Sequence, residues 1–320
     1  SLDDNVDSYI PEWKDLKYLK GLNLIKLNRQ IKIKDLFTHT SGLTYGFQGQ
    51  SRIDKEYKER NINAIVDSKL KTREIINELS QIPLEFSPGD YYNYSISIDI
   101  LGFIIERVSN FSLQEYLDIN VFKRLGMKDT AFTLDQSKKD RITNCYRWND
   151  NNKLYELHNE RPDPNITVNS YLEEPNSFSG GAGLLSTMKD YQLFGSAILD
   201  AKKGRDNPLI KKSTAELMMQ NHLPHNKYIS DLSMYPLKGE EYYKGIGFGL
   251  GGSICCDENL GLSNSKNGDF GWGGAASTSF YISNEYDYSF VFLTQVLESE
   301  ETRKLNSSIK KLINDCVINV

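Results

Sequence analysis

Leu36-Phe37-Thr38-His39-Thr40-Ser41-Gly42-Leu43 is the stretch on which the reading of the fold turns. His39 and Ser41 invite pairing as a catalytic dyad. Side chains so close in sequence rarely face each other usefully, so the segment reads as a structural landmark instead. Outward from it, other short stretches fall in a definite order. Upstream stands Leu2-Asp3-Asp4-x-Val6-x-x-Tyr9-Ile10-Pro11. Downstream come Ser87-Pro88-Gly89 with Tyr94-Ser95-Ile96 and Asp99-Ile100-Leu101-Gly102, then Gly180-Gly181-Ala182-Gly183-Leu184-Leu185-Ser186-Thr187, and last Trp272-Gly273-Gly274. One short motif is weak evidence, whereas five groups in sequence between Leu2 and Gly274 form a pattern.

The totals set bounds on that pattern. A chain of 320 residues is long enough for a substantial core, as one large domain or two. Hydrophobic residues at 39% and charged residues at 25% are ordinary for a soluble globular protein. A net charge of −5 argues against a basic surface for nucleic acid or anionic membranes. No apolar run approaches the roughly 20 residues of a membrane span. Cys145, Cys255, Cys256 and Cys316 fit no zinc spacing and make a poor disulfide framework, so they read as reduced thiols. His39, His158, His222 and His225 offer no metal site, and Pro224 places His222-x-x-His225 in a loop. No metal or cofactor is expected. Asn165-Ile166-Thr167 is a sequon of the kind an Asn-rich chain yields by chance, and the compartment stays open.

Helical signals dominate the first two thirds. Ile75, Ile76 and Leu79 are spaced for a helix over 72–80 with Thr72 as its cap. Ile98, Leu101, Ile105 and Val108 predict one buried face of a helix over 95–109, capped by Ser95. Ser112-x-x-Glu115 is a capping box opening a helix through Leu117 and Val121, which Gly126 ends. Another helix is expected from Thr187 to Asp200, with Tyr191, Phe194 and Ile198 inward. Residues 140–180 are rich in loop signals, with a hairpin around Asn149-Asp150-Asn151-Asn152 and breaks at Pro162, Pro164 and Pro175. A loop that long in a compact protein is often part of a binding site. The last third changes character: a glycine-rich strand over 246–250, an antiparallel pair over 277–282 and 288–295, and a closing helix from Glu298 with Leu305, Ile309, Leu312 and Ile313 as its apolar stripe.

The ordered landmarks resemble the serine β-lactamase-like hydrolases, which include penicillin-binding proteins, class C β-lactamases and related esterases. The resemblance implies an α/β (α+β) fold, an antiparallel sheet flanked by helices plus a mainly helical region. Residues 1–240 would form the mainly helical and loop region carrying the tyrosine motif. Residues 241–320 would supply the C-terminal strands and closing helix, the two intertwined in one catalytic unit. In that family a Ser-x-x-Lys motif carries the nucleophile, with the lysine amine beside the hydroxyl on one helix face. A second-motif tyrosine helps take the serine proton, and a third motif at a strand edge supplies an oxyanion N–H.

Carried over residue by residue, the resemblance makes Tyr94 the general base, held at a loop-to-helix turn beside Ser95. It places Trp272-Gly273-Gly274 at the third motif, where glycines let a backbone edge approach a ligand, and Ala275 as the backbone oxyanion donor. Phe178, Gly180 and Gly181 are expected to line the pocket. Two departures bear on substrate. Ile96 stands where penicillin-recognising enzymes carry an amide side chain, and Trp272 stands where they carry a lysine that attracts the β-lactam carboxylate. The resemblance therefore implies a small neutral ester or amide substrate, handled by an esterase or acyl hydrolase. A β-lactamase or D-Ala peptidase and a non-catalytic ligand-binding homologue are the alternatives.

The Ser-x-x-Lys motif normally lies upstream of the Leu2-Asp3-Asp4 stretch, so the expectation is a truncated hydrolase lacking its nucleophile-bearing segment. The chain's own matches begin at Ser68, Ser186, Ser263 and Ser307, and none has the family's position. Without the upstream strands the sheet is expected to expose an unpaired edge through which the chain self-associates.

Overall fold

The computed structural model describes residues 1–65, 68–149, 153–157, 171–297 and 300–318. Pro162, Pro164, the sequon at Asn165, the hairpin turn over 150–152 and the expected helix start at Glu298 lie outside the described residues. The described chain divides into two compact units. The first joins Ser1–Ile119, Pro175–Leu184 and His222–Leu237, and the second joins Asn120–Glu174, Leu185–Asn221 and Lys238–Val320. The second unit draws in residues from the mainly helical stretch, because α7 below packs on the C-terminal sheet.

In chain order the strands are β1 (Lys17–Lys20), β2 (Asn23–Lys26), β3 (Cys145–Trp148), β4 (Leu154–Leu157), β5 (Ile246–Phe248), β6 (Ser253–Cys255), β7 (Phe270–Gly273), β8 (Ser279–Ser283) and β9 (Tyr288–Phe292). The helices are α1 (Ile33–Phe37), α2 (Arg52–Glu59), α3 (Thr72–Leu79), α4 (Ser97–Ser109), α5 (Leu113–Leu117), α6 (Lys123–Leu125), α7 (Met188–Lys203), α8 (Lys212–Met218), α9 (Ile229–Leu232) and α10 (Glu300–Ile318).

The first unit is built around Trp13, Leu36, Ile53, Tyr57, Ile75, Ile100 and Phe103, all buried. The Trp13 indole N–H donates to the Ile76 carbonyl at 3.1 Å, satisfying a polar atom the core would otherwise strand. The hairpin β1–β2 pairs Tyr18 with Ile25 and docks by backbone bonds between Leu19 and Leu84 and between Leu84 and Lys17. α3 buries Ile75, Ile76 and Leu79 as the spacing predicts, but Thr72 is its first helical residue. The Glu74 carboxylate accepts the Lys71 N–H at 2.8 Å in place of a hydroxyl cap. In α4 the expected face holds only in part: Leu101 is buried and Ile98 packs against the core, but Ile105 is half-buried and Val108 57% exposed, while Ile100, Phe103 and Ile104 are buried outside the stripe. Neighbours cover the first turns of α4 on most sides, so its burial does not follow one stripe.

Ser112 and Glu115 form the predicted box, the serine Oγ accepting the Glu115 N–H at 3.2 Å and the carboxylate accepting the Ser112 N–H at 2.9 Å. The helical path then widens into a π turn over Asp118–Phe122. Gly126 at φ 71° closes α6.

The second unit centres on a five-stranded antiparallel sheet in the order β5-β6-β7-β8-β9. Thr187 caps α7 by accepting the Asp190 N–H at 3.2 Å. Tyr191 and Phe194 of that helix pack against Phe280 with ring centroids 5.3 and 6.0 Å apart, and Ile198 is buried with Ile282 and Val291. The predicted pair β8–β9 is antiparallel, with Ser283 opposite Tyr288. β3 and β4 form their own hairpin, pairing Cys145 with Leu157.

The stripe expected of α10 is only partly covered: Leu305 is 46% and Leu312 64% exposed and Ile309 and Ile313 are half-buried, whereas Thr302 and Asn314 are buried. Hydrogen bonds hold this helix instead. Lys310 Nζ donates to Ser265 Oγ at 2.9 Å, the Tyr288 hydroxyl donates to Asn314 Oδ1 at 2.5 Å, and Ser307 Oγ donates to the Leu262 carbonyl at 2.6 Å. Among the described residues no helix is long and apolar enough to cross a membrane.

Candidate active site

Tyr94 lies in the first unit on the short loop leading into α4 and is half-buried. Two aromatic side chains from the segment after α1 pack on it. The His39 ring is tilted against Tyr94 with centroids 4.7 Å apart, Tyr45 lies 5.3 Å away, and Phe47 stacks on Tyr45 at 4.7 Å. The Gln48 side-chain amide donates to the Tyr94 carbonyl, fixing the backbone at that turn.

His39 has a left-handed backbone at φ 54° and is buried. The Ser95 N–H donates to its Nδ1 at 3.2 Å, so that nitrogen is an acceptor and the ring proton sits on Nε2. Burial pushes the imidazole pKa down to about 3, which keeps it neutral. A string of buried hydroxyls continues from it. Ser95 Oγ lies 2.7 Å from Ser97 Oγ, which lies 2.7 Å from Ser41 Oγ. Ser41 thus bonds to Ser97, and the landmark segment is a scaffold that positions rings. Ser95, expected as a helix cap and substrate contact, is fully buried in this string, while α4 begins at Ser97.

Below Tyr45 stands Asp99, 1% exposed. The Ser179 hydroxyl and the Gly181 N–H both donate to its Oδ1, the latter at 3.3 Å, and the Tyr45 hydroxyl donates to Oδ2 at 3.3 Å. Burial raises this carboxyl to about 6 against the pull of those donors. Gly180 passes directly over the first turn of α4. A Cβ there would lie 2.3 Å from the Ile98 carbonyl oxygen, so close backbone approach explains this glycine. Gly180 and Gly181 are exposed, whereas Phe178 is buried.

The third-motif residues belong to the second unit. Trp272 and Gly273 end β7, Gly273 standing opposite Ser279, and the Trp272 ring meets Phe248 edge-on at 5.1 Å. The following turn is tight: the Gly274 N–H donates to the Thr278 carbonyl at 3.0 Å, and Ser277 takes φ 60°. Ala275 is exposed at that turn, and no acceptor among the described residues takes its N–H.

Of the residues singled out in sequence, Tyr94, Ser95, Phe178, Gly180 and Gly181 therefore share one unit, and Trp272, Gly273, Gly274 and Ala275 share the other. Sequence reasoning missed Tyr45 and Asp99 as members of the tyrosine site. Asp99 carried a signal, an acidic residue inside the otherwise apolar run from Ile98 to Ile105. Ile96 is fully buried and offers no polar anchor. Among the described residues no group of His, Cys, Asp and Glu side chains is placed to hold a metal ion.

Comparison with known proteins gives a consistent family signal. A family model described as Beta-lactamase matches residues 1–314. An uncharacterised protein of Mycobacterium tuberculosis is 28% identical over 270 residues, covering 83% of this chain and 63% of that protein. The ML-236A carboxylate methylbutanoyltransferase of Penicillium citrinum is 28% identical over 304 residues, covering 88% of this chain and 66% of the transferase. The chain thus spans about two thirds of the length of these curated relatives. Among solved structures, EstCE1, a hydrolase with promiscuous acyltransferase activity, superposes with a TM-score of 0.79 at 24% identity, covering 97% of this chain and 77% of its own.

Proposed function

The chain belongs to the Beta-lactamase family, and from that membership we propose that it is the base- and oxyanion-bearing part of a serine acyl hydrolase or acyltransferase acting on small neutral esters or thioesters. The serine attacks an acyl carbonyl, Tyr94 takes the serine proton, and the Ala275 N–H helps hold the oxyanion. Return of that proton to the leaving alcohol completes acylation, and water or an acceptor alcohol then releases the acyl group.

The observation that carries the ester reading is the pair Ile96 and Trp272. A wholly buried isoleucine and an indole stand where β-lactam recognition uses an amide and a cation. The fungal relative named a methylbutanoyltransferase agrees with an acyl-transfer chemistry of this kind.

None of the chain's own Ser-x-x-Lys matches provides the nucleophile. Ser68 and Lys71 precede α3, and Ser186 and Lys189 straddle the cap of α7. Lys266 is paired with Glu258 at 3.1 Å. Ser307 and Lys310 share α10, but the serine is committed to Leu262 and the lysine to Ser265.

The test uses the longest natural form of the protein. We expect p-nitrophenyl butyrate to be cleaved far faster than a cephalosporin, a fluorophosphonate to label a serine, and Tyr94→Phe to lower kcat by about 100-fold or more. Labelling of no serine discredits the hydrolase reading in favour of a non-catalytic binder. A preference for the cephalosporin overturns the substrate class.

A further inference from the structure

The β1–β2 hairpin takes no part in the proposed chemistry, and its composition is unlike the rest of the chain. From Leu16 to Lys34 the sequence holds six basic residues and no acidic one, in a chain whose net charge is −5. Two of the six are neutralised in place: Arg29 pairs with Asp35 at 2.5 Å and Lys32 with Asp3 at 2.9 Å. Lys17, Lys20 and Lys26 are exposed, and no carboxylate among the described residues forms an ion pair with them. Lys17 stands directly opposite Lys26 in the register. Like charges so placed cost stability, so the fold gains nothing from this pair.

The tip departs from expectation as well. Gly21, at φ 63°, opens a two-residue turn between Lys20 and Asn23. Such turns commonly follow glycine with Asn, Asp or Ser. Leu22 stands there instead, 88% exposed. Leu24 at 57% and Ile25 at 36% exposure continue the apolar surface along β2, every residue of which is exposed. Lys20 flanks the turn, and at the rise of a strand Lys17 lies about 10 Å behind it, with Lys26 across from it.

Lysines on an open edge strand guard against pairing with another strand. That role accounts for Lys26 and leaves the leucine at the turn unexplained. A soluble polyanion likewise matches the lysines alone. A bilayer surface answers to both features: apolar side chains enter the headgroup boundary, and long lysine stems reach back to anionic headgroups.

We propose that the β1–β2 hairpin docks the protein on an anionic lipid surface, Leu22 and Leu24 entering the headgroup boundary while Lys17, Lys20 and Lys26 hold the lipid charge. The contact is peripheral and requires no membrane-crossing helix. It does not depend on the role assigned to Tyr94. The net charge of the whole chain conceals it, because every acidic residue lies outside 16–34.

The test is vesicle flotation of the longest natural form of the protein, in which self-associated material stays at the bottom of the gradient. Vesicles of equimolar phosphatidylcholine and phosphatidylserine should carry the protein upward, and added salt should release it. Vesicles of phosphatidylcholine alone should leave it below. Lys17→Gln, Lys20→Gln and Lys26→Gln together should lower the partition coefficient about 100-fold. Leu22→Ser with Leu24→Ser should lower it about tenfold. All five side chains are exposed, so neither variant should melt below the parent.

The docking surface is overturned by no flotation, by equal flotation with phosphatidylcholine alone, or by unchanged binding of either variant. Retention on heparin without flotation assigns the basic surface to a soluble polyanion and overturns it equally.

Discussion

At the scale of single residues, His39 carries a measurable liability. Its unfolded imidazole titrates near 6.5 and its buried form near 3, so between those values the unfolded chain binds more protons than the native one. Stability from this group is present above pH 6.5 and is lost as the pH falls toward 3, at about 1.4 kcal/mol per pH unit. Asp99 works in the opposite sense. With its folded value raised from 3.8 to about 6, its contribution is full below pH 3.8 and falls away as the pH rises through 6. The imidazole has the wider window, so acid should unfold the first unit. His39→Asn should retain the fold, because asparagine tolerates φ near 54° and its Oδ1 can accept the Ser95 N–H. The drop in melting temperature between pH 7 and pH 4 is expected to be clearly smaller in this variant. An equal drop in both proteins refutes the assignment.

At the scale of elements, two glycines separate backbone freedom from close packing. Gly126 ends α6 at φ 71°, and a Cβ added there would have nothing within 4 Å, so Gly126→Ala should cost only about 1 kcal/mol of left-handed strain. Gly180→Ala would drive a methyl group against the Ile98 carbonyl, and the loop carrying Ser179 and Gly181 would have to lift off α4. Its expected cost is about 3 kcal/mol or more, read by urea denaturation. Equal costs at the two sites contradict the close approach.

The same contrast explains what was legible. Ser112 with Glu115, Thr187, and the spacing of Ile75, Ile76 and Leu79 are local signals, and the structure carries them. The β1–β2 hairpin was not legible. Leu22 at its tip is 88% exposed, and Lys17, Lys20 and Lys26 break the alternation of a half-buried strand. Asp99 shows in the sequence only as an acid in an apolar run; its partners were not legible, because Tyr45 and Ser179 arrive from distant segments.

At the scale of the whole molecule, β9 is a terminal strand of the five-stranded sheet and pairs only with β8 among the described residues. Such an edge is a template for another strand. Phe290 and Phe292 lie half-buried along it, with Leu293 exposed beside them. We predict that the chain self-associates in a concentration-dependent way in sedimentation velocity, and that Leu293→Lys weakens the association. A monomer at every concentration excludes edge pairing. β5, the opposite edge, is covered differently, since Asn221 Oδ1 accepts the Phe248 N–H at 3.1 Å.

The attachment of α10 has a dynamic corollary. Ser307, Lys310 and Asn314 fasten the helix to Leu262, Asn264, Ser265 and Tyr288 through polar contacts, and Lys310 lies over the Tyr281 ring, while Leu305 and Leu312 add little buried apolar surface. We predict that the amide protons of α10 exchange ahead of those of β7, β8 and β9, with the loop over 262–265 released in the same opening, so that the helix acts as a latch on that loop. Equal protection of helix and strands in hydrogen–deuterium exchange would refute the latch.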